Sequence, residues 1–86
     1  MLFMVIEHFK NPKPIGERFQ RSGRMLPEGF IYHASWIDSK NARCFQIMEA
    51  PDRDSLNPWI AAWQDLVDFE VMPVLTSAEF WKNLGS

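Results

Sequence analysis

FIYHASWIDSKNARCFQIME, residues 30–49, decides how this chain folds. Over residues 30–37, Phe30, Tyr32, Ala34 and Trp36 alternate with Ile31, His33, Ser35 and Ile37. Asp38-Ser39-Lys40-Asn41 then interrupts as a polar connection. Residues 42–49 resume the alternation, Arg43, Phe45, Ile47 and Glu49 against Cys44, Gln46 and Met48. Two period-two runs joined by a short polar segment predict a β-hairpin.

The flanks extend the hairpin into a fold. Residues 2–9 set Phe3, Val5, Glu7 and Phe9 against Leu2, Met4, Ile6 and His8, both sets mostly apolar, as in a central strand covered on two sides. Asn11-Pro12 and Lys13-Pro14 suit a helix's first turn, where a missing N–H costs nothing. Ile15, Phe19, Ser22 and Leu26 recur at helical spacing, and Gly23 or Arg24 ends the helix. Pro27-Glu28-Gly29 is a turn into the hairpin. Downstream, Ser55 or Asn57 is the candidate N-cap of a second helix that Pro58 starts, with Trp59, Ile60, Trp63, Leu66 and Val67 as its apolar stripe. A last strand places Val67, Phe69, Val71 and Pro73 on one face and Asp68, Glu70, Met72 and Val74 on the other. Thr76-Ser77-Ala78-Glu79 is a capping box for a short helix, Ala78 to Leu84, stopped by Gly85.

Strand, helix, strand, strand, helix, strand predicts a ferredoxin-like α+β domain. Its four antiparallel strands would run in the order 4-1-3-2, with two helices on one face. The expectation is a single domain over residues 1–86 with a C-terminal tail at 76–86. The opposite sheet face is then bare and carries aromatic side chains, so something must cover it.

Composition narrows the function classes. The 86 residues are 47% hydrophobic and 14% aromatic, with four Trp and seven Phe, more than one small core absorbs. A net charge of −2 gives no electrostatic case for nucleic acid or an anionic membrane. One cysteine, Cys44, excludes an internal disulfide, and no spacing suits a metal site. The apolar start is too short for a signal-peptide core or a membrane span, so a cytoplasmic setting is expected. Neither a cofactor nor a metal is expected.

The phrases MVIEHFK, GRMLPEGFIYHASWID, RCFQIMEA and DLVDFEVMPVLTSAE resemble the short bacterial proteins grouped as domain of unknown function 3303. The likeness covers about residues 1–80 and departs from the family's usual second helix in placing Pro58 just before Trp59. It implies a dimeric α+β barrel, in which two open sheet faces close around a shared interior. That wider superfamily includes small monooxygenases, muconolactone isomerases and stress-response binding proteins. The resemblance implies architecture and no reaction.

Candidate chemistry is sparse. His8 and Glu70 are the groups that would exchange a proton on the open face near neutral pH, meeting across neighbouring strands. Tyr32, Trp36 and Met48 would wall a small-molecule pocket there, and Gln46 would orient a ligand carbonyl or hydroxyl. Glu7, Glu49 and Asp68 are further carboxylates on or beside strands, any of which becomes a base if enclosed. Against each stands a plainer role: a rim histidine, a surface ion pair, core packing. Arg18, Arg21 and Arg24 form either an anion grip or a solvated helix face, and Cys44 is a small inward side chain. An RNA-binding role lacks the required aromatic and basic motif in RCFQIMEA. Two readings remain open: a homodimer binding a small ligand on the open face, and a purely structural or interaction homodimer. Their compositions coincide.

Overall fold

The computed structural model describes residues 1–40 and 42–85. Asn41 of the hairpin connection and Ser86 of the tail lie outside the described residues. Strand β1 (Leu2–Phe9) leads to helix α1 (Pro12–Ser22), then strands β2 (Ile31–Asp38) and β3 (Arg43–Glu49). A 3₁₀ turn (Asp54–Leu56) enters helix α2 (Asn57–Trp63), followed by strand β4 (Val67–Pro73) and helix α3 (Ser77–Gly85). The four strands form one antiparallel sheet in the order β2-β3-β1-β4. This is the ferredoxin-like α+β arrangement expected from the sequence.

The core sits between α2 and the middle of the sheet. Phe3 and Val5 of β1, Met48 of β3 and Val67 of β4 are buried together with Leu56, Trp59 and Trp63. A helix as short as α2 has no independent stability in water, so burial of its two indoles holds it in place. Trp59 meets Phe69 edge-on, with ring centroids 5.3 Å apart. Both indole N–H groups donate to the carbonyl of Arg24, at 3.0 Å from Trp59 and 3.1 Å from Trp63. One carbonyl has two lone pairs, so both bonds are satisfied at once.

Helix α1 is bounded by the signals in its sequence. Asn11 Oδ1 caps it by accepting from the Lys13 N–H, and Pro12 occupies the first turn. At the other end Gly23 adopts φ +64°, a left-handed value that a side chain disfavours, and its N–H donates to Phe19. The second helix starts differently from expectation. Neither Ser55 nor Asn57 is its N-cap; that position is Leu56, with no side-chain bond. The reason is the preceding 3₁₀ turn, closed when Asp52 Oδ1 accepts from the Ser55 N–H and the Ser55 hydroxyl donates to the Asp52 carbonyl.

The hairpin contains one surprise. A register irregularity between Tyr32 and Ala34 places His33 as an extra residue in β2. Beyond it the alternation changes phase. Tyr32 pairs with Met48 and Ser35 with Gln46, so Tyr32 shares a face with Ser35 and Ile37 and not with Trp36.

The capping box forms as read. Thr76 Oγ1 accepts from the Glu79 N–H and donates to Glu79 Oε1. Helix α3 buries no residue, however, and Trp81 and Leu84 are 66% and 65% exposed. Its own chain therefore does not cover the tail.

The shared carbonyl predicts non-additivity. Trp59→Phe and Trp63→Phe each remove one N–H and should cost about 1 kcal/mol beyond lost packing. The double variant should lose more than the sum, because the Arg24 carbonyl then has no donor. Urea denaturation of all four proteins measures the coupling; strict additivity would contradict the shared bond.

Candidate functional site

Side chains on the helix-covered face form cross-strand rows. One row runs Ile37, Cys44, Glu7, Phe69, and the next Ser35, Gln46, Val5, Val71. Their polar members, Ser35, Gln46, Cys44 and Glu7, are neighbours, although the rest of this face is apolar. Above them stands α1, which buries none of its own residues, and the space between is a cavity of about 390 Å³. Ile15, Gly16 and Phe19 of α1 form its roof, Trp59 and Trp63 of α2 an end wall, and Arg24 reaches in from the loop after α1. Size and lining match a small-molecule site: an apolar enclosure with a few convergent polar groups.

Two tethers keep α1 at this distance. Arg18 grips Asp65 with both terminal nitrogens, at 2.8 and 2.7 Å, and donates to the Ala62 carbonyl at 3.0 Å. This fork-to-carboxylate bond lowers the Asp65 carboxyl below its ordinary value. Its contribution to stability is present above the ordinary carboxyl range and is lost as pH falls through it. The second tether is the Arg24 carbonyl under the two indoles. It fixes the backbone from which the Arg24 guanidinium extends, 3.7 Å over the Tyr32 ring and 5.2 Å from the Phe19 centroid.

The electrostatics of the cavity are unusual in three places. Burial pushes the Glu7 carboxyl up to about 7, with the Arg24 charge acting in the opposite direction. Burial, with the neighbouring Glu7 charge, pushes the Cys44 thiol up to about 11, so it is a neutral thiol near pH 7 and not a nucleophile. Gln46 is 3% exposed, and its Nε2 has no hydrogen-bond partner among the described residues. The Tyr32 hydroxyl bonds Ser35 Oγ at 2.7 Å, which links the edge strand to this polar group.

The residues singled out in the sequence separate between the two faces. His8 and Glu70 share the open face and meet, Nε2 to Oε2, at 3.4 Å. Both are substantially exposed, 42% and 59%, so the pair is a surface contact and not an enclosed acid–base couple. Trp36 lies on that face too, opposite Phe45. Tyr32, Gln46 and Met48 do not join them. Gln46 and Met48 are buried beneath the helices, and the extra residue at His33 carries Tyr32 to the same side. His33 instead bonds Glu49 at 2.6 Å. Among the described residues no cluster of three or more His, Cys, Asp or Glu is arranged for a metal ion.

Of the residues around this cavity, the sequence reading named Glu7 as a base if enclosed and Arg24 as part of an anion grip or a solvated helix face, and it passed over Ser35 as a site residue. The signal for Glu7 was present: it alternates in phase with Phe3, Val5 and Phe9, the core residues of β1. Arg24 was grouped with Arg18 and Arg21 by helical periodicity, but it lies beyond the end of α1 and enters the cavity without them.

Glu7 should weaken the fold as pH rises. The folded state holds its proton up to about 7, whereas the unfolded chain releases it near 4.5, so stability falls across that window and levels off above it. The loss amounts to roughly 3 kcal/mol at pH 8. Glu7→Gln should be more stable than the parent at pH 8 and flat across the same window. Denaturant midpoints measured from pH 4 to 8 check this; parallel curves for the two proteins would contradict it.

Comparison with known proteins adds a family and no activity. No curated protein and no solved structure matches the chain. The family model described as domain of unknown function (DUF3303) matches residues 1–86. By sequence and by full-length coverage, this chain is a member of the DUF3303 family.

Proposed function

We propose that this protein is a small-molecule-binding homodimer whose ligand lies in the cleft between α1 and the sheet. The observation that carries the reading is the 390 Å³ cavity, whose lining includes buried Gln46, an amide with no hydrogen-bond partner for its Nε2 among the described residues. An unmade bond on a buried donor costs about 1–3 kcal/mol, a cost that a bound acceptor removes. A purely structural module would have no use for such a space. The ligand site thus moves from the open face, where the sequence suggested it, to the covered one.

The open face serves the second copy. Its centre is apolar, with Met4 and Ile6 of β1, Phe45 and Ile47 of β3 and Trp36 of β2. Its rim is polar, with the His8–Glu70 contact and the ion pairs of Lys10 with Asp68 and Arg43 with Asp38. An apolar centre inside a polar rim is the anatomy of an interface. Two-fold pairing is the commonest way for a small chain to cover such a face, and the uncovered apolar side of α3 lies within the same reading. This is the dimeric α+β barrel that the family resemblance implies. Among the described residues no helix is long and apolar enough to cross a membrane. A cytoplasmic setting belongs to the proposal and is supported by a lone buried thiol.

Two measurements test the proposal. In an NMR titration with neutral 1-naphthalenemethanol, the indole N–H signals of Trp59 and Trp63 and the Gln46 amide should shift. Shifts confined to Trp36 and its strand neighbours would return the ligand to the open face. In sedimentation equilibrium the parent should be a dimer at micromolar concentration and Ile47→Asp a folded monomer. A parent monomer would refute the pairing.

A further inference from the structure

The polar groups that line the cleft are nearly all hydrogen-bond donors. Gln46 Nε2 is a donor with no partner among the described residues. Arg24 presents a guanidinium that has donors only and forms no ion pair with a carboxylate among the described residues. It is stacked on the Tyr32 and Phe19 rings instead. The Cys44 thiol is protonated near neutral pH, and Glu7 in its acid form donates as well. A ligand that complements this set must bring acceptors, and the Arg24 cation favours a negative charge. The remaining wall is aromatic and aliphatic: Phe9, Ile15, Phe19, Ile37, Trp59 and Trp63. We propose that the cleft binds an aromatic carboxylate, its ring between α1 and the indoles and its carboxylate between the Arg24 guanidinium and Gln46 Nε2. This deepens the cleft reading above and rests on it.

One consequence follows from Glu7. It lies diagonally across the strand pair from Gln46, on the same face, and diagonal neighbours are about 7–8 Å apart. A bound carboxylate therefore sits close to the Glu7 carboxyl, and two like charges in an apolar enclosure repel. Glu7 must hold its proton for the anion to stay. The groups that set this balance are Arg24, from the loop after α1, and Cys44 on β3, which remains uncharged. Binding then takes up a proton near neutral pH, and affinity falls as pH rises above about 7.

The test compares three probes that share one ring system: 1-naphthoate, 1-naphthalenemethanol and 1-naphthylmethylammonium. Calorimetry at pH 6.5 should give 1-naphthoate at least a tenfold lower Kd than the alcohol, with the ammonium weakest. Gln46→Leu should weaken naphthoate about tenfold, and Arg24→Met by tenfold to a hundredfold, the range expected for a lost bond to a charged group. Neither change touches the Arg24 carbonyl that anchors the loop. From pH 7 to 8.5 the naphthoate affinity should fall, with proton uptake visible as a dependence on buffer ionisation heat; Glu7→Gln should bind equally at both pH values. If the alcohol binds in the cleft as tightly as naphthoate, or the pH dependence survives Glu7→Gln, the carboxylate proposal is overturned and the cleft reading stands. If no probe shifts the cleft signals, both fall.

Discussion

Everything around the cleft depends on one carbonyl. Arg24 O receives both indole N–H groups of α2, and that shared bond fixes where the chain leaves α1 and returns to the sheet. It is a long-range contact between a loop and a helix too short to stand alone, and each makes the other's position possible. Because the loop is fixed there, the Arg24 side chain must extend over Tyr32 and Phe19, toward the face that carries Glu7. Arg18 sets the remaining degree of freedom by holding α1 to the end of α2 through Asp65. Helix α1 is thus suspended from α2 and its own loop, and the cavity is what remains beneath it.

That arrangement is costly for so small a fold. Domains have roughly 0.05–0.15 kcal/mol of net stability per residue, so a chain of this length has on the order of ten kcal/mol or less. Burying an ionisable carboxyl and leaving an amide donor unpaired both subtract from this, each by an amount of order 1–3 kcal/mol. A leucine at either position would avoid the cost. Polar groups that weaken a fold while converging on a cavity mark binding chemistry more often than packing.

The fold was legible in the sequence because it is carried by periodicity. The alternation of residues 2–9 and 42–49, the proline and glycine punctuation of α1 and the capping box at Thr76 each have a local physical cause, and each formed. The meeting of His8 and Glu70 was legible for the same reason: both depend only on strand order and register. The site was not legible, and one residue explains much of the difference. His33 adds a step to β2 that no local signal announces, and it moves Tyr32 from the face of Trp36 to that of Gln46. Phase arguments are accurate only up to the first irregularity. Glu7 was in plain view in the core phase of β1, but the weight of its burial depends on how far α1 stands from the sheet. That distance is set by Arg18 and Arg24, whose partners lie 35 to 47 residues away in the chain.

The central claim is that Glu7 sits enclosed in the cleft beneath α1, and the carboxyl carbon of that side chain reports it directly. A ¹³C NMR titration of the Glu7 side chain in the free protein should give a midpoint near 7, well above the ordinary 4.5. A midpoint at the ordinary value would mean that the carboxyl is bathed in water, and that the cleft described here does not exist in solution.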